Sequence, residues 1–380
     1  MARQVKKIVI TGGPCAGKDT GLKEIVPRLW AMGIRPFVVD EVATRFLKSG
    51  IRDIGEIARK DPQKYFEIQK RIMLEIMSEI RRFEELAGLF PNDKCVIIIN
   101  RGPMDWAAYV PEEMVQPTLE ENRLTLRDTR DNFDGVIHLV TTADGAEEVW
   151  QRAKANNENE ARWEDTPEQA RAVDRRTQQV WVGTPHLRII DNSTEWSGKV
   201  DRLFVAVLRI MGEPQPVEIE RRFLLKRAPD FRNSILRQSE KLFIEQLYLN
   251  SVDTPGARIR ERRSRDSSIY TKTWKRGFDL SRRETDETIS PTEYIRLWRF
   301  INPDTQVIRK YRYCFLYKNQ YFELDRFLEP RRGLWILEIE LMEENEPVDL
   351  PPFLDIEKEV TGDSAYSNYE ISKRKLKRSD

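Results

Sequence analysis

Two periodicities divide the chain, and the change between them falls near residue 217. Upstream, short unbroken apolar runs alternate with segments whose apolar residues recur every three or four positions, as in buried parallel strands separated by helices. The runs are Lys7–Thr11, Ile34–Val39, Lys94–Ile99, Gly135–Thr141 and Pro185–Asp191. Helices are expected over 42–48, over most of 54–89, from Glu147 onward and over 200–211. In the long segment Ile68, Ile72, Met73, Ile76 and Ile80 share one face, a core stripe.

Downstream the period becomes two. Strands are expected over 217–225, 244–250, 257–263, 269–275, 281–289, 307–313, 321–327 and 334–341. Side chains alternate across a strand, so Glu218, Glu220 and Arg222 face one way and Ile219 and Phe223 the other. The same parity carries Arg258, Arg260 and Arg262, then Lys275, then Arg282, Glu284 and Asp286. It continues with Lys310 and Arg312, Glu323 and Asp325, and Glu338 and Glu340. The opposite parity is largely apolar, as at Leu324, Leu337, Ile339 and Leu341, and is expected to lie beneath helices around 227–239 and 294–302. A small barrel ordinarily fills its inside with apolar side chains. Here the pattern is reversed, and buried ions need partners. A metal cation for the acids and a polyphosphate anion for the bases satisfy both.

The expected architecture is therefore two domains joined by the stiff Gly212-Glu213-Pro214-Gln215-Pro216 stretch. Residues 1–212 form an α/β domain on a parallel sheet, 213–216 the linker, and 217–380 an α+β domain built on an antiparallel eight-stranded tunnel barrel. Composition narrows the partners. Lys+Arg 64 against Asp+Glu 63 gives a net charge of +1, so no global field draws in nucleic acid or an anionic membrane. Cys15, Cys95 and Cys314 are widely separated, which argues for a reducing compartment and against a disulfide framework or zinc site. With no secretory apolar region and no run of transmembrane length, a cytoplasmic protein is expected. The basic run 373–378 reads as a solvated end, and His138 and His186 as structural.

Gly12-Gly13-Pro14-Cys15-Ala16-Gly17-Lys18 has the spacing of the phosphate-binding loop G-x-x-x-x-G-K, placed between a strand and a helix. Its amides ring a phosphate at a helix N-terminus, glycines allow close approach, and Lys18 reaches the terminal phosphates. The next position usually carries a Ser or Thr hydroxyl for Mg²⁺. Here it is Asp19, with Thr20 one residue later, so the metal contact falls to one or the other. Asp40-Glu41 ends the second strand and Asn100-Arg101-Gly102 the third, both at the crevice where open α/β sheets bind ligands.

With these motifs the first half resembles the P-loop small-molecule kinases, among the nucleoside, nucleotide and nicotinamide-riboside kinases and their ATPase relatives. The resemblance implies ATP or another NTP as cofactor and a small-molecule acceptor. Asp40 or Glu41 would act as base or substrate ligand, and Arg101 would hold substrate and phosphate, with Asn100 standing where the pattern has an acid. The polar segment 156–176 is similar to the arginine-bearing lid of such kinases, with Arg162 the candidate among Arg152, Arg171, Arg175 and Arg176.

The second half resembles the triphosphate tunnel metalloenzyme (CYTH) family over most of 217–372. The residues that carry this are Glu218-Ile219-Glu220-Arg221-Arg222, Leu337-Glu338-Ile339-Glu340-Leu341, Gly362-Asp363 and Tyr366-Ser367-Asn368. The resemblance implies Mg²⁺ or Mn²⁺ on Glu218, Glu220, Glu338 and Glu340. It places phosphate on Arg222, Arg258, Arg260, Lys275, Arg282, Lys310 and Arg312. Glu284, Asp286, Glu323 and Asp325 would place a second metal or the attacking water. The expected function is a bifunctional phosphate-handling enzyme that hydrolyses tripolyphosphate, pyrophosphate or a nucleoside triphosphate in the tunnel and transfers or hydrolyses phosphate at the P-loop. The alternatives are a kinase with a regulatory polyphosphate-binding tunnel, and RNA 5′-end processing, which the near-neutral charge disfavours.

Overall fold

The computed structural model describes residues 5–51, 53–155, 166–213, 219–250, 257–276, 283–343 and 345–374, without the side chains of 275, 276 and 283–285. The contacts divide the chain into two compact units, Met1–Glu213 and Pro214–Asp380.

In the first unit β1 (Lys6–Gly12), β2 (Ile34–Val39), β3 (Lys94–Asn100), β4 (Gly135–Leu139) and β5 (Leu187–Ile190) form one parallel sheet in the order β2-β3-β1-β4-β5. The β-branched runs fill its middle: Ile8, Val9 and Ile10 pair with Ile98, Ile99 and Asn100, and the apolar members are wholly buried. Eight helices flank the strands in sequence: α1 (Lys18–Ala31), α2 (Val42–Lys48), α3 (Ile54–Lys60), α4 (Pro62–Gly88), α5 (Glu112–Glu121), α6 (Glu147–Ala155), α7 (Pro167–Gln179) and α8 (Trp196–Met211). The long α4 starts where Asp61 accepts the Lys64 amide and Pro62 presets the first turn, and it buries the expected stripe through Ile72, Met73, Ile76 and Ile80. Parallel order brings Gly12, Glu41, Arg101 and Thr141 to the carboxyl edge of the sheet.

The second unit is an antiparallel sheet of β6 (Ile219–Leu225), β7 (Glu240–Tyr248), β8 (Arg258–Arg263), β9 (Ser268–Arg276), β10 (Arg283–Ile289), β11 (Ile308–Tyr317), β12 (Gln320–Glu329), β13 (Trp335–Leu341) and β14 (Ile356–Glu359). Their order is β10-β9-β8-β7-β11-β12-β13-β6-β14. The eight expected strands are thus nine; β14 is four residues long, too short to show a period, and pairs with β6. Among the described residues no ladder joins β10 to β14.

The register puts the ions on one face. Glu338 stands opposite both Arg222 and Glu323, Glu340 opposite Glu220, and Arg312 opposite Asp325. The other face is core: Phe223, Phe315, Phe322, Leu324, Leu337, Ile339 and Leu341 pack with Leu236 and Leu354. Farther along the sheet Leu247, Leu249 and Ile259 pack under Tyr294 and Leu297 of α10 (Pro291–Leu297).

Two expectations change. The helix expected over 227–239 is the single turn α9 (Ser234–Arg237). The segment before it is spent on local turns, in which Asp230 binds Arg232 and Asn233 caps the Ile235 and Leu236 amides. The ionic face is also not ionic throughout. Residues of the same parity, Tyr248, Ile308, Phe327 and Ile336, form an apolar cluster at one end with Ile371 of α11 (Asn368–Ser372). No helix among the described residues is long and apolar enough to cross a membrane.

This inside-out arrangement has a direct consequence. Leu324 is wholly buried on the core face, so Leu324→Ala should destabilise the unit by about 2–5 kcal/mol. A shift of the urea midpoint smaller than that of a surface substitution would contradict the assignment of faces.

Candidate functional sites

The glycine-rich loop turns into α1 at Gly17, whose φ of 88° is the left-handed conformation that glycine adopts without strain. Lys18 follows as the first helical residue and is 8 % exposed. Burial lowers its pKa, Arg101 lowers it further, and Glu41, Asp19 and Asp105 oppose them. Arg101 sits at the end of β3 with φ of 68°, a costly conformation for a side chain of its size, and its amide donates to Ile10 O at 3.0 Å. Its Nε donates to Glu41 at 2.6 Å, while its Nη1 is buried with no hydrogen-bond partner. Burial would raise the Glu41 carboxyl, but Arg101 and Lys18 outweigh it and, with the Thr44 hydroxyl at 2.8 Å, hold it at about 2.

Of the two carboxylates expected after β2, Glu41 joins this cluster and Asp40 is exposed. Glu41 is also the residue before α2, but its side chain makes no capping bond because Arg101 and Thr44 take it. Asp19 accepts from the Asn100 amide at 2.7 Å, so the two departures from the P-loop pattern face each other. Thr20 is exposed in the first turn of α1. Arg162 lies outside the described residues. Of the other lid arginines, Arg171 is spent on Ala143 O, Glu147 and Glu168, and Arg152, Arg175 and Arg176 are exposed.

Three polar residues beside the loop were not singled out by the sequence. Asp105, 3 % exposed, accepts from Thr11 Oγ1 at 2.7 and 2.8 Å and from Trp181 Nε1 at 2.6 Å. Asp174 on α7 accepts from the Gly13 amide at 2.8 Å, the Thr141 amide at 3.1 Å and Gln178 at 3.0 Å, and pairs with His138 Nε2 at 3.0 Å. A Cβ on Gly13 would stand 2.4 Å from the Asp174 oxygen, so the second glycine is required by this contact. Lys199 on α8 donates to Val140 O and Asn192 Oδ1, and burial holds its ammonium down at about 8. Each comes from a helix far along the chain, where no local pattern marks it.

In the second unit Arg312 is the hub. Its guanidinium donates to Asp325 at 2.8 and 2.7 Å, to Glu338 at 2.6 Å and to Glu323. Lys310 bonds the same Asp325, which is wholly buried. Burial would raise the Asp325 carboxyl, but Arg312 and Lys310 pull it well below the usual range. Arg222 binds Glu220 at 2.5 Å and lies 3.3 Å from Glu338. Burial, with Glu338 and Glu340 nearby, raises the Glu220 carboxyl; burial likewise raises Glu323. Arg260 donates instead to Gln246, at 3.2 and 3.1 Å. Asp286 accepts from Thr273 at 2.5 Å and is exposed.

A cavity of about 170 Å³ opens at Glu220 and Arg222 and is completed by Thr361, Gly362, Asp363, Ser364 and Ser367. The expected set is thus brought together at Glu220, Arg222, Glu338, Glu340, Lys310, Arg312, Glu323 and Asp325. Glu218 and Arg282 lie outside the described residues, as do the side chains of Lys275 and Glu284. Lys310 and Arg312, both expected at phosphate, are here bonded to carboxylates: the register sets Asp325 opposite Arg312, and Lys310 shares the same acid. Among the described residues no three acids, histidines or cysteines form a ready metal cage.

The family model of an AAA domain (AAA_28) matches residues 7–199. An inorganic triphosphatase of Acetivibrio thermocellus is 42% identical over 71 residues, 19% of this chain and 44% of that protein. The chain therefore spans less than half the length of that curated relative. A solved inorganic triphosphatase structure is 26% identical, covering 41% of this chain and 95% of its own, with a TM-score of 0.30. A protein from Pyrococcus horikoshii OT3 is 20% identical, with 34% and 80% of the two chains covered and a TM-score of 0.26.

The Glu41–Arg101 pair carries a pH signature. A carboxyl held at about 2, against an ordinary 4.5, adds stability that is fully present above pH 4.5 and is lost as pH falls through 2. The difference in unfolding free energy between the native chain and Glu41→Gln should be about 3 kcal/mol at pH 7 and should shrink across that window. A difference independent of pH would show that the pair is not ionic.

Proposed function

Because the chain belongs to the AAA domain family through residues 7–199, we propose that its first half binds ATP or another NTP and transfers or hydrolyses the terminal phosphate. The second half, on this reading, is a metal-dependent hydrolase of tripolyphosphate, pyrophosphate or a nucleoside triphosphate. The domains would be 1–212 and 217–380, with 213–216 between them. One observation carries the reading: a single sheet face holds Glu220, Glu338, Glu340, Arg222, Arg260 and Arg312, and the opposite face is packed with apolar side chains. The identity shared with an inorganic triphosphatase supports it.

In the first half, Lys18 and the loop amides would hold the phosphates, and the unpartnered Nη1 of Arg101 is a buried donor suited to an anion. Glu41, ionised and fixed by Arg101, would receive the acceptor's proton or orient its hydroxyl. Asp19 or Thr20 would meet the nucleotide's magnesium.

In the second half the acids are the hard oxygen donors that a divalent cation takes. Burial and the crowding of Glu338 and Glu340 make the Glu220 charge costly, and a cation would relieve it. Glu218, Glu220, Glu338 and Glu340 would hold Mg²⁺ or Mn²⁺, whose chemistry is to neutralise phosphate oxygens during attack by water. Arg222, Arg258, Arg260, Lys275, Arg282, Lys310 and Arg312 would bind the phosphates. Glu323, whose carboxyl is raised by burial, Asp325, Glu284 and Asp286 would place a second metal or the attacking water.

Phosphate release from tripolyphosphate with Mg²⁺ or Mn²⁺ tests the second half. Glu220→Gln/Glu338→Gln should lower turnover at least about hundredfold. No turnover by the native chain with either metal would reject the hydrolase. Lys18→Ala should abolish nucleotide turnover at the P-loop and leave tripolyphosphate hydrolysis intact. Loss of both would favour a tunnel that only regulates the P-loop.

A further inference from the structure

The cations of the ionic face differ in what they are bonded to. Arg312 and Lys310 are bonded to carboxylates, and most of their charge is cancelled where it sits. Arg260 is not. Its Nε and Nη2 both reach the side-chain carbonyl of Gln246, which the register places directly across the strand pair. Among the described residues no carboxylate lies within ion-pair distance of it. Gln246 is 1 % exposed, and its amide nitrogen donates to the Tyr248 hydroxyl at 3.0 Å. That hydroxyl also accepts from Arg258.

An amide carbonyl orients a guanidinium as a carboxylate would, but leaves its charge uncancelled. Glutamine and glutamate have nearly the same shape, so toward Arg260 the residue at 246 decides charge, while toward Tyr248 a carboxylate would accept where the amide donates. Burial and the repulsion of Arg258 and Arg312 both act against the Arg260 cation, and Asp286 offsets them only in part. A buried guanidinium in that state is completed by an anion.

We propose that Gln246 is a positioning residue: through its carbonyl it presents Arg260, and through Tyr248 it braces Arg258, as the receptor for a phosphate group of the polyphosphate chain. This rests on the hydrolase reading above. It gives the face a polarity, with phosphate drawn to β8 and the metal-binding acids on β6 and β13.

The test is steady-state hydrolysis of tripolyphosphate with Mg²⁺ by the full chain, alongside thermal unfolding. In Gln246→Glu the new carboxylate pairs with Arg260 and cancels its charge. KM should rise about tenfold, the equivalent of one charge-assisted hydrogen bond, while Tm holds or increases because a buried cation has gained a partner. That opposition separates positioning from a purely structural role, which would lower Tm as KM rose. Should that variant not fold, Tyr248→Phe should raise KM severalfold with kcat retained, since it removes the brace and leaves the charge. An unchanged KM in the folded variant, or a KM rise that tracks a fall in Tm, overturns the inference. Absence of turnover in the native chain overturns the hydrolase reading itself, a distinct result.

Discussion

Ions turned inward on a sheet must be matched, because an unmatched charge out of water costs more than a small domain can supply. The second unit meets this requirement through Arg312. One planar guanidinium satisfies Asp325, Glu338 and Glu323 on two neighbouring strands, and Lys310 completes Asp325. The apolar faces of the same strands then supply the core, from Phe223 through Leu341. Removing the hub would strand three carboxylates; the network holds because each member answers another.

Such matching uses up charge, and that shapes what the face can do. At the Arg312 end positive charge is cancelled internally, whereas Glu220 is crowded by Glu338 and Glu340 with Arg222 as its counter-ion, and Arg260 is held by an amide. An acid-rich end and a base-rich end on one face suit a ligand that is itself a cation joined to an anion. A metal-bound polyphosphate is of that kind.

The P-loop site solves the same problem on a parallel sheet. Lys18 and Arg101 are both buried, and Glu41 and Asp105 favour the cation on each, although burial and Arg101 together lower Lys18. Where the P-loop pattern has a hydroxyl after the lysine and an acid on the strand, this chain has Asp19 in the first turn of α1 and Asn100 on the strand, joined at 2.7 Å. The acid has changed sides while the pair is retained. Asp174 ties the glycine-rich loop to α7 through the Gly13 amide.

Periodicity alone determined much of this molecule. Runs of β-branched residues marked the parallel strands, alternation marked the antiparallel ones, and glycine spacing marked the phosphate loop, because each is a local steric or solvation rule. Which ions would meet was not local. Arg312 and Asp325 are both visible as ions of one parity, yet only the β11–β12 register sets them opposite each other and joins them. Asp105 and Asp174 look like ordinary acids in sequence; a 3-10 turn and the packing of α7 carry them to Thr11 and Gly13. The apolar end built by Tyr248, Ile308, Phe327 and Ile371 likewise needed α11 to pack against the sheet. Charge pairing acts over a few ångströms in space and is blind to distance along the chain, so tertiary structure alone decided it.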